Sequence, residues 1–369
     1  MISSLSTMTA DPPDSAWDAG DFRTRVQAAL EEFLAEQAVR LAPLGPDAVR
    51  LLAEARLAVS GGKRFRAAFC YWGFRAVRPE LGPDDERALL RACAALEILH
   101  ASALAHDDYM DASDTRRGRA ATHRLFEAEH RRDGWTGDPE QYGAAAAILL
   151  GDLLLSWADE LLRRCGFPLP QVEPALAVLD LCRSEVITGQ FLDVSVQARG
   201  RADVEAAMTV LRFKSAKYSV ERPLHIGAAL AGASPATLAE LTAVGLPLGE
   251  AFQLRDDLLG VFGDPARTGK PAGDDLVEGK RTVLVALALD GAPPAEAALL
   301  DRSLGTPLDE AVVARLREVI DASGAHAQVE EAIVALADRA LAALDGAEVD
   351  DLARGVLRLL AAAVTDRTV

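Results

Sequence analysis

Alanine- and leucine-rich segments follow one another along this 369-residue chain, each closed by Gly, Pro or an Asp/Ser signal. None sustains the period-two alternation of a half-buried strand, so an all-α fold is expected. Half of the residues are hydrophobic, enough for a sizeable core. Two helices are predicted between Asp21 and about Ala58, broken at APLGPD, where Pro and Gly cannot continue a helix. Further helices are predicted over about 64–77, 86–111, 140–164, 171–197, 202–231, 235–262, 280–290, 308–322, 326–344 and 349–365. Two segments break this rhythm, 127–141 and 263–281. The second is rich in Gly, Pro and charge and long for a structureless connection, as lids and binding loops are. With no sharp shift in composition and no short-period repeat, residues 21–369 read as one domain and 1–20 as a disordered tail.

The opening residues carry neither the basic nor the apolar stretch of a secretory signal, and no run of about eighteen uncharged apolar residues marks a spanning helix. A soluble protein without stable membrane insertion is expected. A net charge of −17 argues against nucleic acid as a partner. Cys70, Cys93, Cys165 and Cys182 lie in apolar helical context without metal-type spacing, which suits buried free thiols in a reducing cytoplasm.

The stretch HASALAHDDYMDASDTRRG, from His100 to Gly118, runs from an apolar helix straight into Asp107, Asp108 and Asp111, then Arg116 and Arg117. On a helix Asp107 and Asp111 share a face, so several carboxylate oxygens converge on one patch. Like charges repel at that spacing unless a divalent cation sits between them, and hard oxygens without nearby Cys favour Mg²⁺ or Mn²⁺. A solvated acidic helix end is the plain alternative. A second patch weakens it: GEAFQLRDDLLGVFGD places Gln253, Asp256 and Asp257 at the end of another apolar helix. Metals between two such ends would bridge to a ligand with several negative oxygens, and a diphosphate fits.

Of 39 basic residues only five are lysine: Lys63, Lys214, Lys217, Lys270 and Lys280. In a chain this biased toward Arg, they mark positions that need a compact ammonium. Lys63 lies in SGGKRFR, where two glycines permit close backbone approach to an anion. The near matches to a nucleotide-binding loop, GDPARTGK and GDDLVEGK, have the wrong glycine spacing and no following Ser or Thr.

Taken together, GGKRFR, EILHASALAHDDYMDASDTRRG, GQFLD, FKSAKYSVERPL, FQLRDDLLGVFGD and GKPAGDDLVEGKRT, in this order over about residues 60–285, closely resemble the trans-isoprenyl diphosphate synthases, or polyprenyl synthetases. The resemblance implies an all-α fold of the isoprenoid synthase type, one large helical domain around a deep central cavity, homodimeric, and head-to-tail condensation of isopentenyl diphosphate with an allylic diphosphate. By position, Asp107, Asp108, Asp111, Asp256 and Asp257 would hold Mg²⁺ on the allylic diphosphate, with Arg116, Lys214 and Lys280 gripping it and Lys270 nearby. Lys63, Arg66, His100 and Arg117 would bind the diphosphate of isopentenyl diphosphate, and Ser215 and Gln253 would lie near the reacting carbons. Asp193 would play a supporting part. The chain departs from the pattern at Gly260, where many members carry a third aspartate, at Ser215 in place of threonine, and at Ala67 in place of proline.

Breaking the allylic C–O bond leaves a carbocation and pyrophosphate, so cations at the mouth and an apolar, water-excluding shaft are what the chemistry demands. Ser102 and Ala103, about 6–7.5 Å below Asp107 at 1.5 Å per residue, are small. In this family a bulky aromatic there would stop growth early. Their size argues for geranylgeranyl diphosphate (C20), with Leu99 as a floor. Three rivals remain: a class I terpene cyclase, a non-catalytic partner of another prenyl synthase, and a helical di-iron protein built on the two Glu-x-x-His pairs Glu97/His100 and Glu127/His130.

Overall fold

The computed structural model describes residues 19–200, 203–263 and 273–365. The expected tail at 1–20, apart from its last two residues, lies outside the described residues, as does Lys270. Helices dominate the rest. The chain forms α1 (Ala19–Leu41), a short 3₁₀ turn, α2 (Pro46–Ala58), α3 (Phe65–Val77), α4 (Pro83–Met110), α5 (Thr122–Arg132), α6 (Pro139–Arg163) and α7 (Leu169–Arg199). It continues as α8 (Val204–Val210), a π-helical stretch (Leu211–Glu221), α9 (Arg222–Leu230), α10 (Pro235–Phe262), α11 (Asp274–Val277), α12 (Val283–Gly291), α13 (Pro294–Ser303), α14 (Glu310–Ala322), α15 (Ala325–Gly346) and α16 (Asp351–Thr365).

The Pro and Gly punctuation sets most boundaries, since α2, α4, α6 and α10 each start with Pro in the first turn, where its missing N–H costs nothing. Asp138 and Ser234 cap α6 and α10 by accepting the N–H of Glu140 and Thr237. The break expected at 127–141 is narrower than predicted: α5 runs through Arg132, and α6 resumes at Pro139. Its charges mislead, because Glu127 is buried and satisfied by Arg124 and Arg131. Helix α13 was not anticipated either. The expected helix at 202–231 is continuous from Val204, but its middle is wound as a π-helix, a form common at functional sites.

Two antiparallel two-residue strands, Thr115–Arg116 and Arg119–Ala120, form the one sheet among the described residues. Arg117 and Gly118 turn between them with φ of 51° and 74°, the left-handed pair that a tight hairpin requires. The hairpin follows α4 at once, because Ala112, φ 54°, ends the helix just after Asp111.

Helix α4 is long and apolar enough to cross a bilayer by length and composition, yet 72% of its apolar window is buried inside the protein. It is a core helix, packed chiefly on α6. One apolar cluster joins α1, α3, α4, α6, α7, α9 and α16 through Phe33, Phe69, Phe74, Leu89, Leu154 and Leu357. A second joins the end of α10 to α8, α12, α14 and α15 through Leu258, Leu284, Leu316 and Ile333. Between them, α4, α6, α7, the π-helical stretch and α10 enclose a deep cavity of about 1360 Å³.

Two bare glycines set the cavity wall. A Cβ on Gly189 of α7 would stand 2.4 Å from the backbone N of Lys214, and one on Gly249 of α10 would stand 2.4 Å from the carbonyl O of Ala216. The π-helical stretch is thus gripped on two sides by backbone contacts that only glycine permits.

Candidate active site

Helix α4 delivers its C-terminal carboxylates to a cluster of cations. Lys214 Nζ lies 3.1 Å from Asp107 Oδ1 and 2.5 Å from Asp193 Oδ2, so the supporting part expected of Asp193 is a direct ion pair. Arg116, aimed by the hairpin, donates its Nε to Asp108 Oδ1 at 2.7 Å and stands 3.9 Å from Asp107. Lys280 Nζ is 3.5 Å from Asp111 Oδ2, 3.6 Å from Asp275 Oδ1 and 2.5 Å from Glu278 Oε2. Burial pushes the Asp107 carboxyl up, but Lys214, Lys280 and Arg116 outweigh it and hold the group well below the usual range. Asp111 goes the other way. Burial and the neighbouring Asp107 raise it to about 6.

On α10, Gln253 donates to Asp257 Oδ1 at 2.8 Å, while burial and the nearby Asp275 push the Asp257 carboxyl well up. Asp107, Asp256, Asp257, Gln253, Lys214, Ser215, Lys280 and Arg116 all line the cavity. Asp108 is instead buried against Arg116 and does not reach the cavity wall, nor does Asp111.

The second cationic group lines the same cavity: Lys63, Arg66, His100 and Arg117. Here the structure adds a residue that the sequence analysis did not place in the site. Tyr218 places its hydroxyl 2.7 Å from His100 Nδ1, and Arg66 stacks over its ring at 4.3 Å. The signal was its helical spacing, i+4, from Lys214. Arg66 also donates to Ser219 Oγ at 2.8 Å, and Arg117 donates to the Ser60 carbonyl at 2.9 Å. Burial, followed by Arg66 and Arg117, drives His100 well below its ordinary range, so the imidazole is neutral. Deeper in, Leu99, Ser102, Ala103, Leu155, Val186 and Val194 make a largely apolar shaft, the Ser102 hydroxyl being satisfied by Gly151 O at 2.7 Å.

The donor set suits a divalent ion of the Mg²⁺ type. Both oxygens of Asp111 are buried without a hydrogen-bond partner, and with the Lys280 ammonium 3.5 Å from Oδ2 they retain lone pairs that a metal cation could take. Yet among the described residues no three acidic, His or Cys groups cluster as a ready-made metal cage. These carboxylates would share an ion with oxygens of a bound anion, as Mg²⁺ is commonly held. The two Glu-x-x-His pairs are otherwise engaged. Glu97 is a buried partner of Arg64 at 3.0 Å, and His130 Nε2 meets the Thr136 carbonyl at 3.1 Å, which removes the di-iron reading.

The sequence profile of the family described as Polyprenyl synthetase matches residues 50–321. A short chain isoprenyl diphosphate synthase of Methanothermobacter thermautotrophicus is 34% identical over 275 residues, 74% of this chain and 77% of the relative. A geranylfarnesyl diphosphate synthase of Aeropyrum pernix is 33% identical over 276 residues, 74% of this chain and 80% of the relative. Among solved structures, a geranylgeranyl pyrophosphate synthase from Corynebacterium glutamicum, complexed with isoprenyl diphosphate and magnesium, superposes with a TM-score of 0.92 at 41% identity, covering 95% of this chain and all of that one. With its all-helical fold and two charged groups over one apolar shaft, the chain belongs to the polyprenyl synthetase family of prenyl diphosphate synthases, which are transferases.

Proposed function

We propose that the chain condenses isopentenyl diphosphate head-to-tail with an allylic diphosphate, using Mg²⁺, for which Mn²⁺ can substitute, to make geranylgeranyl diphosphate as its main product. One observation carries this reading: Asp107, Asp256 and Asp257, two sets of cations and an apolar shaft all line a single cavity. Bound divalent ions would supply Lewis-acid charge neutralisation to the leaving diphosphate, with Asp107, Asp256 and Asp257 on the cavity wall and Asp111 behind them as the residues that would hold them, while Asp108 aims Arg116. Lys214, Arg116 and Lys280, with Lys270, grip that diphosphate and meet the charge that develops as the C–O bond breaks. Lys63, Arg66, Arg117 and His100 hold the diphosphate of isopentenyl diphosphate. The tautomer that accepts the Tyr218 hydroxyl at Nδ1 would present an N–H at Nε2 of the neutral His100 to an anion. Ser215 and Gln253 flank the reacting carbons, and the departing pyrophosphate takes the proton lost when the new double bond forms. The apolar shaft keeps water from the carbocation.

The C20 product is supported by the small Ser102 and Ala103 below Asp107, by Leu99 as floor about 12 Å down the helix at 1.5 Å per residue, and by the likeness to a geranylgeranyl pyrophosphate synthase. Exposed apolar residues on α6 and α7, Leu149 at 60% and Leu181 at 48% exposed, suit a homodimer contact, with Ile187 and Phe191 beside the cavity extending that face. Four buried, unpaired thiols suit the cytoplasm.

The test is elongation by the purified chain with Mg²⁺, isopentenyl diphosphate and C5, C10 or C15 starters, followed by product sizing. Mainly C20 is expected. Only C15 would overturn the assigned length; a cyclic hydrocarbon, or elongation only with an added partner, would overturn the synthase reading itself.

A further inference from the structure

Gly260 lies one turn beyond Asp256 and Asp257 on α10, where many members of the family carry a third aspartate, and its bare backbone faces something specific. A Cβ built there would stand 1.9 Å from Asp275 Oδ2, 2.4 Å from its Cγ and 2.9 Å from its Oδ1. The room an aspartate at 260 would use for its own carboxylate is therefore already filled by another carboxylate, which arrives from α11. Asp275 is only 9% exposed and shares the cavity wall with Asp256, Asp257 and Lys280. Its Oδ1 stands 3.6 Å from Lys280 Nζ. The same ammonium stands 3.5 Å from Asp111, whose two buried oxygens have no hydrogen-bond partner. Lys280 thus stands between acidic groups from α4 and α11, on the side of the cavity where Asp256 and Asp257 would hold a divalent ion shared with a bound diphosphate.

We infer that Asp275, seated in the notch left by Gly260, supplies the third carboxylate of the second acidic motif and is a ligand of the divalent ion held there. The inference rests on the function proposed above and deepens it. The acidic set on α10 is then complete, assembled from two elements in place of one. It also gives Gly260 a reason: any side chain at that position would expel the carboxylate that replaces it.

The probe is Mg²⁺ at fixed inorganic pyrophosphate, with the rise in melting temperature of the full chain as readout, which needs no turnover. The wild type is compared with Asp275→Asn, which keeps shape and loses charge, with Asp275→Ala, and with the exchange Gly260→Asp/Asp275→Ala, which returns the carboxylate to α10 and empties the notch. Asp275→Asn is expected to weaken apparent Mg²⁺ affinity about 10- to 100-fold. The exchange is expected to bind Mg²⁺ close to the wild-type affinity, well above Asp275→Ala. Melting without Mg²⁺ checks that each variant is folded, and if Asp275→Asn is not, the comparison of the exchange with Asp275→Ala decides. Wild-type Mg²⁺ affinity in Asp275→Asn, or an exchange no tighter than Asp275→Ala, overturns the inference alone. Absence of any Mg²⁺-dependent rise in the wild type overturns the proposed function with it.

Discussion

Substituting Gly189 by Ala should separate the chemistry from the fold. Its Cβ would stand 2.4 Å from Lys214 N and 2.8 Å from Lys214 Cα, whereas nine in ten real Cβ contacts lie beyond 3.4 Å. The obstructing atoms are backbone and cannot rotate aside, so the turn that carries Lys214 must move by about 1 Å. Lys214 Nζ sits 3.1 Å from Asp107 and 2.5 Å from Asp193, and that shift disrupts both contacts. A misplacement of about 1 Å at a reacting centre costs about a hundredfold in rate, or about 2.7 kcal/mol. Overpacking itself should cost about 1–3 kcal/mol of stability. We therefore expect kcat for elongation to fall about a hundredfold at saturating Mg²⁺, with a lower melting temperature and a folded protein. Gly355→Ala is the control: nothing lies within 4 Å of its Cβ, and it occupies the interior of α16. That change should raise stability by about 0.4–1 kcal/mol and leave the rate alone. Single-turnover assays with labelled isopentenyl diphosphate and thermal melts decide it, and wild-type speed in Gly189→Ala would refute the argument.

Three further outcomes are expected. Glu97→Ala strands Arg64, whose side chain is 3% exposed, and should cost about 3–5 kcal/mol in urea denaturation, a loss under about 1 kcal/mol being inconsistent with a buried pair. Burial and Arg222 lower His225 to about 4 against an unfolded value near 6.5, so the unfolded chain binds the proton first. Stability present above about pH 6.5 is then lost as pH falls toward 4, by about 3 kcal/mol more in the wild type than in His225→Gln, measured as the difference between their pH–stability curves. Ala103→Phe, which projects an aromatic ring into the shaft, should shorten the main product, as chromatographic sizing would show; unchanged product length would remove Ala103 from the wall.

The helices were legible wherever punctuation and apolar period agree: 235–262 is α10 to the residue, and the break at APLGPD separates α1 from α2. Helix α5 escaped because its buried Glu127 and His130 look like surface residues until Arg124, Arg131 and the Thr136 carbonyl satisfy them. The π-helical winding at 211–221 has no period to read, and the close approach of its backbone to Gly189 and Gly249 on two other helices is visible only in three dimensions. Of the candidate site, charge type and order singled out Asp107, Lys214 and Asp256, which the fold brings to one cavity. The inward burial of Asp108 behind Arg116 and the seat of Asp275 at Gly260 depend on three-dimensional proximity across 8 and 15 residues of chain, for which one sequence carries no rule.

One unbroken rod, α4, carries both the aspartate that faces the mouth and the small residues that line the bore beneath it. Under the proposed function, depth would be graduated along a rigid scale whose zero is set by Asp107, with each turn marking an increment of about 5.4 Å. A lineage can slide the stop along those marks without retuning the reactive end. Such a scale would account for relatives about equally distant from this chain that are named for products of different size.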